Sequence, residues 1–214
     1  MSIETESHPS EKETLLLGLL AEEPIHAYGL EEKIRTRHMD LWTDIGTSSI
    51  YRVLAGLEER GLITTRFEQG GQGAARKVHD LTASGRHALA EGALCFLGIC
   101  QPLRNPFLAG LMNITRAPRA RILTVLRARE QRLEEVHEEL SELEQQHMDR
   151  LPDMEPEERR LRFRLTLELI FGQAQRHIQA EKSFISESIV KIEDSPAGIF
   201  PDFGGPGSRE ERSP

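Results

Sequence analysis

Apolar residues near the start of the chain recur with the period of a helix. Ser10 and Glu13 have capping-box spacing just before the apolar run at positions 15–20, which predicts a helix beginning there. Because proline cannot continue a helix, Pro24 predicts that this helix ends at the preceding residue. A second helix is predicted over 26–37, where leucine and isoleucine recur four residues apart.

A third helix is predicted over residues 47–60. Thr47 is expected to cap its N-terminus, and Gly61 can adopt the left-handed conformation that ends many helices. The predicted apolar face consists of Ile50, Val53, Leu54 and Leu57. This face indicates that the helix packs with one side on a core and leaves the other side free.

After the third helix the period changes from that of a helix to that of a strand. Residues 63–68 alternate apolar or threonine positions with polar ones, and residues 76–81 fit a returning strand. The glycines between them predict a flexible loop: Gly70, Gly71 and Gly73. Thr82 is expected to cap a further helix that runs through Leu89. The pattern therefore predicts three helices followed by a hairpin and a fourth helix.

The remainder of the chain is predicted to be helical, with a short apolar piece at 107–114 and long helices over 119–151 and 157–188. In the first long helix, eight positions are spaced alternately four and three apart: Ile122, Leu126, Arg129, Leu133, Val136, Leu140, Leu143 and His147. This spacing is typical of a coiled-coil seam. We call these positions the heptad seam. The seam must pack on a partner, which is either the second long helix or another subunit.

The order of elements at the N-terminus is that of a winged helix-turn-helix. We therefore expect a mostly α protein with an N-terminal winged helix-turn-helix, a two-stranded wing, a C-terminal domain of long helices and a disordered tail. The expected limits are 1–12 for a flexible N-terminus, 13–92 for the winged helix, 93–192 for a helical dimerisation domain and 193–214 for the tail, which is rich in Gly and Pro.

In this fold the N-terminal turns of the recognition helix meet base edges in the major groove. Serine and threonine hydroxyls allow close approach, and arginine binds guanine or phosphate. The expected DNA-binding residues are Tyr28, Thr47, Ser48, Ser49, Tyr51, Arg52, Arg66, Arg76 and Lys77. Plainer roles are open for several of them, because Ser48 and Ser49 could be capping residues and Tyr51 could pack on the second helix. Arg76 and Lys77 could be ordinary strand-edge charges.

The overall charge changes this picture only moderately. The chain carries 27 basic and 35 acidic residues, a net charge of −8, which argues against a nonspecific nucleic-acid coat. Residues 45–90 hold six basic and four acidic side chains, so this stretch is locally positive by 6 − 4 = +2. A protein-docking winged helix with a coiled-coil scaffold is therefore the alternative to a DNA-binding protein.

Catalytic, metal and cofactor motifs do not emerge from the sequence. Cys95 and Cys100 have the wrong spacing for a redox or zinc pair, and the eight histidines are scattered. We expect no enzyme, no metal and no cofactor. No apolar run approaches the length of a membrane span, and the acidic N-terminus lacks the features of a secretory signal, so a cytoplasmic location is expected.

Several runs of the sequence together resemble PadR-type transcriptional regulators. The similar runs are Leu15 to Leu20, Pro24 to Tyr28, Ser48 to Leu54, Leu57 to Ile63, Gly73 to Val78 and Leu81 to Arg86. The sequence departs from the usual pattern at Ala27, Gly29 and His79, none of which lies on the recognition helix. The resemblance implies a homodimeric repressor whose C-terminal helices form the dimer and whose DNA is released, in some members, by a small effector.

The expected function is therefore a sequence-specific transcriptional regulator that binds a pseudo-palindromic double-stranded operator as a homodimer. The expected dimerisation residues are the apolar members of the heptad seam: Ile122, Leu126, Leu133, Val136, Leu140 and Leu143. Arg129 and His147 interrupt the seam and could set its register. In a further alternative, a ligand sensor, Phe163, Phe171 and Phe184 would line a pocket, although core packing is the simpler role for them.

Overall fold

The computed structural model describes residues 8–39, 43–69, 75–100, 105–196 and 198–201. The chain folds as two compact units, residues 1–102 and 103–214. The predicted domain limit at residue 92 lies within the fourth helix, which continues to Gly98.

The first unit has the predicted order of elements. These are α1 (Glu11–Leu20), α2 (Ala27–Thr36), α3 (Thr47–Glu59), β1 (Ile63–Gln69), β2 (Ala75–Leu81) and α4 (Ala83–Gly98). Local signals explain several of the boundaries. Ser10 and Glu13 form both bonds of the capping box, and Gly61 has a φ of +66° immediately after the end of α3. Thr82 caps α4 by accepting a hydrogen bond from the Gly85 N–H.

One predicted cap is wrong. Gly46, rather than Thr47, occupies the N-cap position of α3, and no side chain caps this helix. Thr47 is the first helical residue, and its hydroxyl donates to the carboxylate of Glu31 on α2. A carboxylate from the preceding helix therefore holds the side chain that was expected to cap α3.

The strands β1 and β2 form an antiparallel hairpin whose register runs from Ile63 opposite Leu81 to Gln69 opposite Ala75. The backbone of Ile25 adds a bridge to His79, with two hydrogen bonds of 3.0 Å. The glycine loop predicted between the strands lies outside the described residues.

A single apolar cluster fills the first unit. It joins the inner faces of α1, α2 and α3 to the start of β1 and the end of β2. Leu16, Leu30 and Leu57 are fully buried in it. The close approach of α4 to this core depends on Gly85, because a Cβ atom there would lie 2.0 Å from the Leu62 carbonyl oxygen.

The second unit is helical, as predicted. It contains α5 (Pro106–Met112), a 3-10 turn (Ile114–Arg116), α6 (Arg119–Asp149), a 3-10 turn (Leu151–Asp153) and α7 (Glu157–Glu193). The last helix continues five residues beyond its predicted end at 188. Within the described residues, no helix is both long and apolar enough to cross a membrane.

The heptad seam packs on α7 of the same chain, which is the first of the two alternatives left open by the sequence. Ile122 and Leu126 lie against the C-terminal part of α7, and Leu143 lies against Leu167 and Phe171 near its beginning. The two apolar clusters are therefore separate, and α6 and α7 run antiparallel.

Polar side chains also join the helices of the second unit. Arg129 reaches Glu181 of α7 and stacks on the Phe107 ring of α5, 4.5 Å from its centroid. Gln175 donates to Glu144 at 2.7 Å. His147 is buried between the rings of Phe163 and Phe171. The polar members of the seam are thus accommodated by the neighbouring helices of the same chain.

Candidate nucleic-acid interface

The first turns of α3 separate apolar and polar side chains onto opposite sides. Ile50 and Leu54 are buried in the core, whereas Ser48, Tyr51 and Arg52 are exposed. The Tyr51 side chain is 58% exposed, so it does not serve as packing against α2. The start of α3 therefore presents a hydroxyl, a phenol and a guanidinium to the surrounding solution.

Arg52 has no ion pair or side-chain hydrogen bond within the described part of the chain. Its positive charge is therefore available to an external anion or to a base edge. Ser49 lies beside it and is half-buried, with its backbone N–H bonded to the Gly46 carbonyl at 2.9 Å.

Glu31 is a residue of this surface that the sequence analysis missed. It lies one helix earlier than Thr47 and accepts the hydrogen bond from the Thr47 hydroxyl. A ligand oxygen that approaches Thr47 would also approach this carboxylate. No local pattern could have identified the contact, since the two residues are sixteen positions apart.

Tyr28 is positioned by the cap of α2. The Nδ1 atom of His26 accepts a hydrogen bond of 2.7 Å from the Gly29 N–H, which fixes the first turn of this helix. The Tyr28 side chain then projects outward and is 67% exposed. A Cβ atom at Gly29 would lie 2.7 Å from the Ile25 side chain, so a larger residue there would displace Ile25, whose backbone is paired with β2.

The three basic residues predicted on the wing do not have the same surroundings. Arg66 is bound to Glu68 at 2.9 Å and to Asp80 at 3.4 Å. Arg76 and Lys77 are exposed and make no ion pair with any described residue. The charge of Arg66 is already balanced by carboxylates, so Arg76 and Lys77 are the cations that the described part of the wing leaves free.

His79 ties the wing to the beginning of α2. It is buried, its Nδ1 atom lies 3.0 Å from the Thr65 hydroxyl, and its backbone pairs with Ile25. Burial lowers the pKa of His79, and nearby Glu58 opposes this effect. The neutral imidazole therefore acts as a structural hydrogen-bonding group.

An ion-pair network holds the other end of α2. Glu22, which precedes this helix, contacts Arg37 at 2.5 and 2.7 Å and Lys33 at 3.1 Å. Burial raises the pKa of Glu22, but Arg37 and Lys33 outweigh it, so the net pKa is lowered. The network fixes α2, on which α3 rests.

No group of acidic, histidine or cysteine side chains suited to a metal occurs among the described residues. Cys95 and Cys100 are free thiols on or just after α4. Near α3 and the wing, the carboxylates of Glu31, Glu68 and Asp80 are bound to Thr47 and Arg66. The exposed hydroxyls, phenols and remaining cations of this surface suit binding of a polyanion.

The family comparison matches this same part of the molecule. Residues 16–91 match the transcriptional regulator PadR-like family. The first unit contains a PadR-like domain. Every residue expected to bind DNA lies inside the PadR-like domain, whereas the heptad seam lies outside it. No curated protein matches the chain.

Solved structures resemble the chain over a longer stretch than the PadR-like domain. PadR from Bacillus subtilis in complex with operator DNA is 18% identical, with a TM-score of 0.68, over 86% of this chain and 99% of that one. The same protein with p-coumaric acid has 18% identity, a TM-score of 0.62, and covers 86% and 96%. The Vibrio cholerae virulence activator AphA has 18% identity, a TM-score of 0.62, and covers 85% and 97%. At this identity the likeness concerns the fold.

Proposed function

We propose that this chain is a sequence-specific DNA-binding transcriptional regulator rather than an enzyme. The observation that carries the proposal is the start of α3. There Ser48, Tyr51 and Arg52 are exposed on the side opposite the buried residues Ile50, Leu54 and Leu57. A helix held in this way within a PadR-like domain can enter the major groove without disturbing its own core.

The proposed contacts divide into two kinds. Arg52 and the hydroxyls of Ser48 and Ser49 approach base edges, while Tyr28, Arg76 and Lys77 hold the backbone. Tyr51 lies beside Arg52 and contributes its phenol. Thr47 and Arg66 have weaker roles in the proposal because each already binds a carboxylate of its own chain.

The proposal includes a homodimer on a pseudo-palindromic operator. A two-fold dimer places two recognition helices about one DNA turn apart and doubles the number of phosphate contacts. The apolar seam residues would contribute by holding α6 on α7. Direct contact between subunits would fall on the outer side of α7, where Leu161, Leu165 and Leu169 form an exposed stripe four residues apart.

The proposal also includes repression and release of DNA by a small effector. One solved structure of similar fold carries p-coumaric acid, and another protein of similar fold is described as an activator. The sign of regulation is checked by transcription from a promoter that carries the recovered operator, with and without added aromatic acids.

Selection of bound duplexes from a random DNA pool tests the DNA-binding proposal. The full-length chain is expected to enrich an inverted repeat. On that operator Arg52→Ala should weaken binding by about 1–3 kcal/mol if Arg52 contacts a base. Arg121→Ala, which removes an exposed charge from α6, is the control and should leave the affinity unchanged.

A protein-docking function is the alternative, and the net charge of −8 favours it. The two functions differ in their response to salt. A regulator that neutralises phosphates loses affinity steeply as salt rises. Absence of any enriched sequence, together with DNA binding that does not change with salt, would contradict the proposed function.

A further inference from the structure

An aromatic residue stands exposed on the wing beside a free cation. The Phe67 side chain on β1 is 68% exposed, and Lys77 lies directly opposite it in the register. The Lys77 ammonium is 5.8 Å from the centroid of the ring. Solitary exposed apolar residues are ordinary, but this ring has a cation beside it on the same face of the hairpin.

The register assigns the pair to the inner side of the hairpin. Side chains alternate along a strand, so Phe67 and Lys77 share a face with Thr65 and His79. Farther along, the same face carries Ile63, which is buried in the cluster that contains the apolar face of α3. Phe67 and Lys77 therefore extend, beyond the core, the side of the hairpin that packs on α3.

The opposite side of the hairpin has a different chemistry. Arg66 lies on that face with its partners Glu68 and Asp80, and Arg76 lies on it opposite Glu68 in the register. Two carboxylates therefore accompany the two guanidinium groups of that face, and none of its described side chains is aromatic. The side of Phe67 and Lys77 offers an uncommitted ammonium and an apolar ring together.

We infer that Phe67 is a DNA contact residue of the wing, and that its ring packs on deoxyribose carbons in the minor groove next to the segment held by α3. Lys77 binds a phosphate at the groove edge. Apolar side chains are used in this way by proteins that enter the minor groove, where they widen it or wedge between base steps. The inference rests on the proposed DNA-binding function.

Replacement of Phe67 and replacement of Lys77 should have different effects on the salt dependence of operator affinity. An apolar ring releases no counterions, so Phe67→Ala should weaken operator binding by about tenfold while the slope of log K against log salt stays the same. Lys77→Ala should weaken binding and flatten that slope by about one unit. Phe67→Tyr keeps the ring and should retain most of the affinity.

The experiment uses the full-length chain and the operator obtained by selection. Affinities of the unsubstituted protein, Phe67→Ala, Phe67→Tyr and Lys77→Ala are measured over a series of salt concentrations. Thermal unfolding of each variant is the folding control, and little change is expected because both side chains are exposed. A second set of duplexes carries 2,6-diaminopurine in place of adenine, which adds a minor-groove amino group.

When 2,6-diaminopurine replaces adenine where the wing contacts the duplex, the DNA affinity of the unsubstituted protein should fall more than that of Phe67→Ala. The reason is that the variant lacks the ring that enters the minor groove. Equal affinity of Phe67→Ala and the unsubstituted protein would overturn the inference and leave the proposed function standing. A flattened salt slope in Phe67→Ala would also overturn it, because the ring would then act only by positioning Lys77. If the unsubstituted protein selects no sequence, the proposed function fails and the inference fails with it.

Discussion

The two units of the molecule bury their apolar residues in different ways. The first unit gathers the inner faces of α1, α2, α3 and the hairpin into one continuous cluster. The second unit has two separate clusters at opposite ends of the α6–α7 pair, and ion pairs and amide hydrogen bonds also join its helices. It also leaves the leucine stripe on the outer side of α7 exposed.

The two units therefore differ in the kind of side chain that they leave exposed. The first unit buries its apolar side chains in one core and exposes hydroxyls and cations on α3 and the wing. This surface can therefore bind a polar partner. The second unit is a helix pair with unburied leucines, so its surface can bind an apolar one. We therefore propose DNA binding for the first unit and subunit association for the second.

The largest effect is expected from opening a cavity in the continuous core. Leu57 is fully buried on α3. Leu57→Ala should lower the free energy of unfolding of the first unit by about 2–5 kcal/mol. Thermal denaturation followed by circular dichroism measures the change. Met112→Ala, at an 86% exposed position of α5, is the control and should lie within about 0.5 kcal/mol of the parent. A small effect of Leu57→Ala would break the contrast between the units.

The next largest effect concerns the exposed leucine stripe. Leu165→Glu places a charge at the centre of the stripe, and burying it in an interface without a partner costs several kcal/mol. We expect the variant to sediment as a monomer at concentrations where the parent is a dimer. Thr166→Glu adds the same charge next to the stripe and serves as the control. A dimer that survives Leu165→Glu would place subunit association elsewhere.

A smaller loss of stability is expected when the polar contacts of Arg129 in the second unit are removed. Arg129 bridges Glu181 and the Phe107 ring from a partly buried position. Arg129→Ala should destabilise the second unit by about 1–3 kcal/mol, since a charge-assisted bond and a stacked contact are lost. Arg132→Ala removes exposed ion pairs with Glu135 and Glu139 within α6 and should lower the stability much less. Equal losses in urea denaturation would show that Arg129 is an ordinary surface charge.

The smallest effect is a pH dependence confined to the first unit. The pKa of Glu22 is lower in the folded chain than its ordinary value of 4.5. Its contribution is therefore present above about pH 4.5 and is lost as the pH falls through the folded pKa. Glu22→Gln should cost about 1 kcal/mol at pH 7 and almost nothing at low pH. If the free energies of unfolding of Glu22→Gln and the parent differed by the same amount from pH 7 to low pH, Glu22 would not be the source of the pH dependence.

Several boundaries of the elements could be predicted because their signals are local. The capping box at Ser10, the cap at Thr82 and the left-handed Gly61 each depend on neighbours within a few residues. The change of period after α3 likewise identified the hairpin.

The hydrogen-bond and ion-pair partners of individual polar side chains could not be predicted in the same way. Thr47 is held by Glu31, and Arg66 is held in part by Asp80, through contacts that exist only after the elements have packed. The heptad seam had the pattern of an association surface, but that pattern does not state whether the partner helix comes from the same chain. Phe67 was missed because one exposed aromatic has no sequence signal until the register shows Lys77 across from it.

The stoichiometry of the DNA complex is the most direct test of the proposed binding of a homodimer to an operator with two half-sites. The mass of the full-length chain bound to its selected operator is compared with its mass on a duplex that carries one half-site. We expect two chains on the operator, half-sites about 10 base pairs apart from centre to centre, and much weaker binding to the single half-site. One chain bound with equal affinity to both duplexes would contradict it.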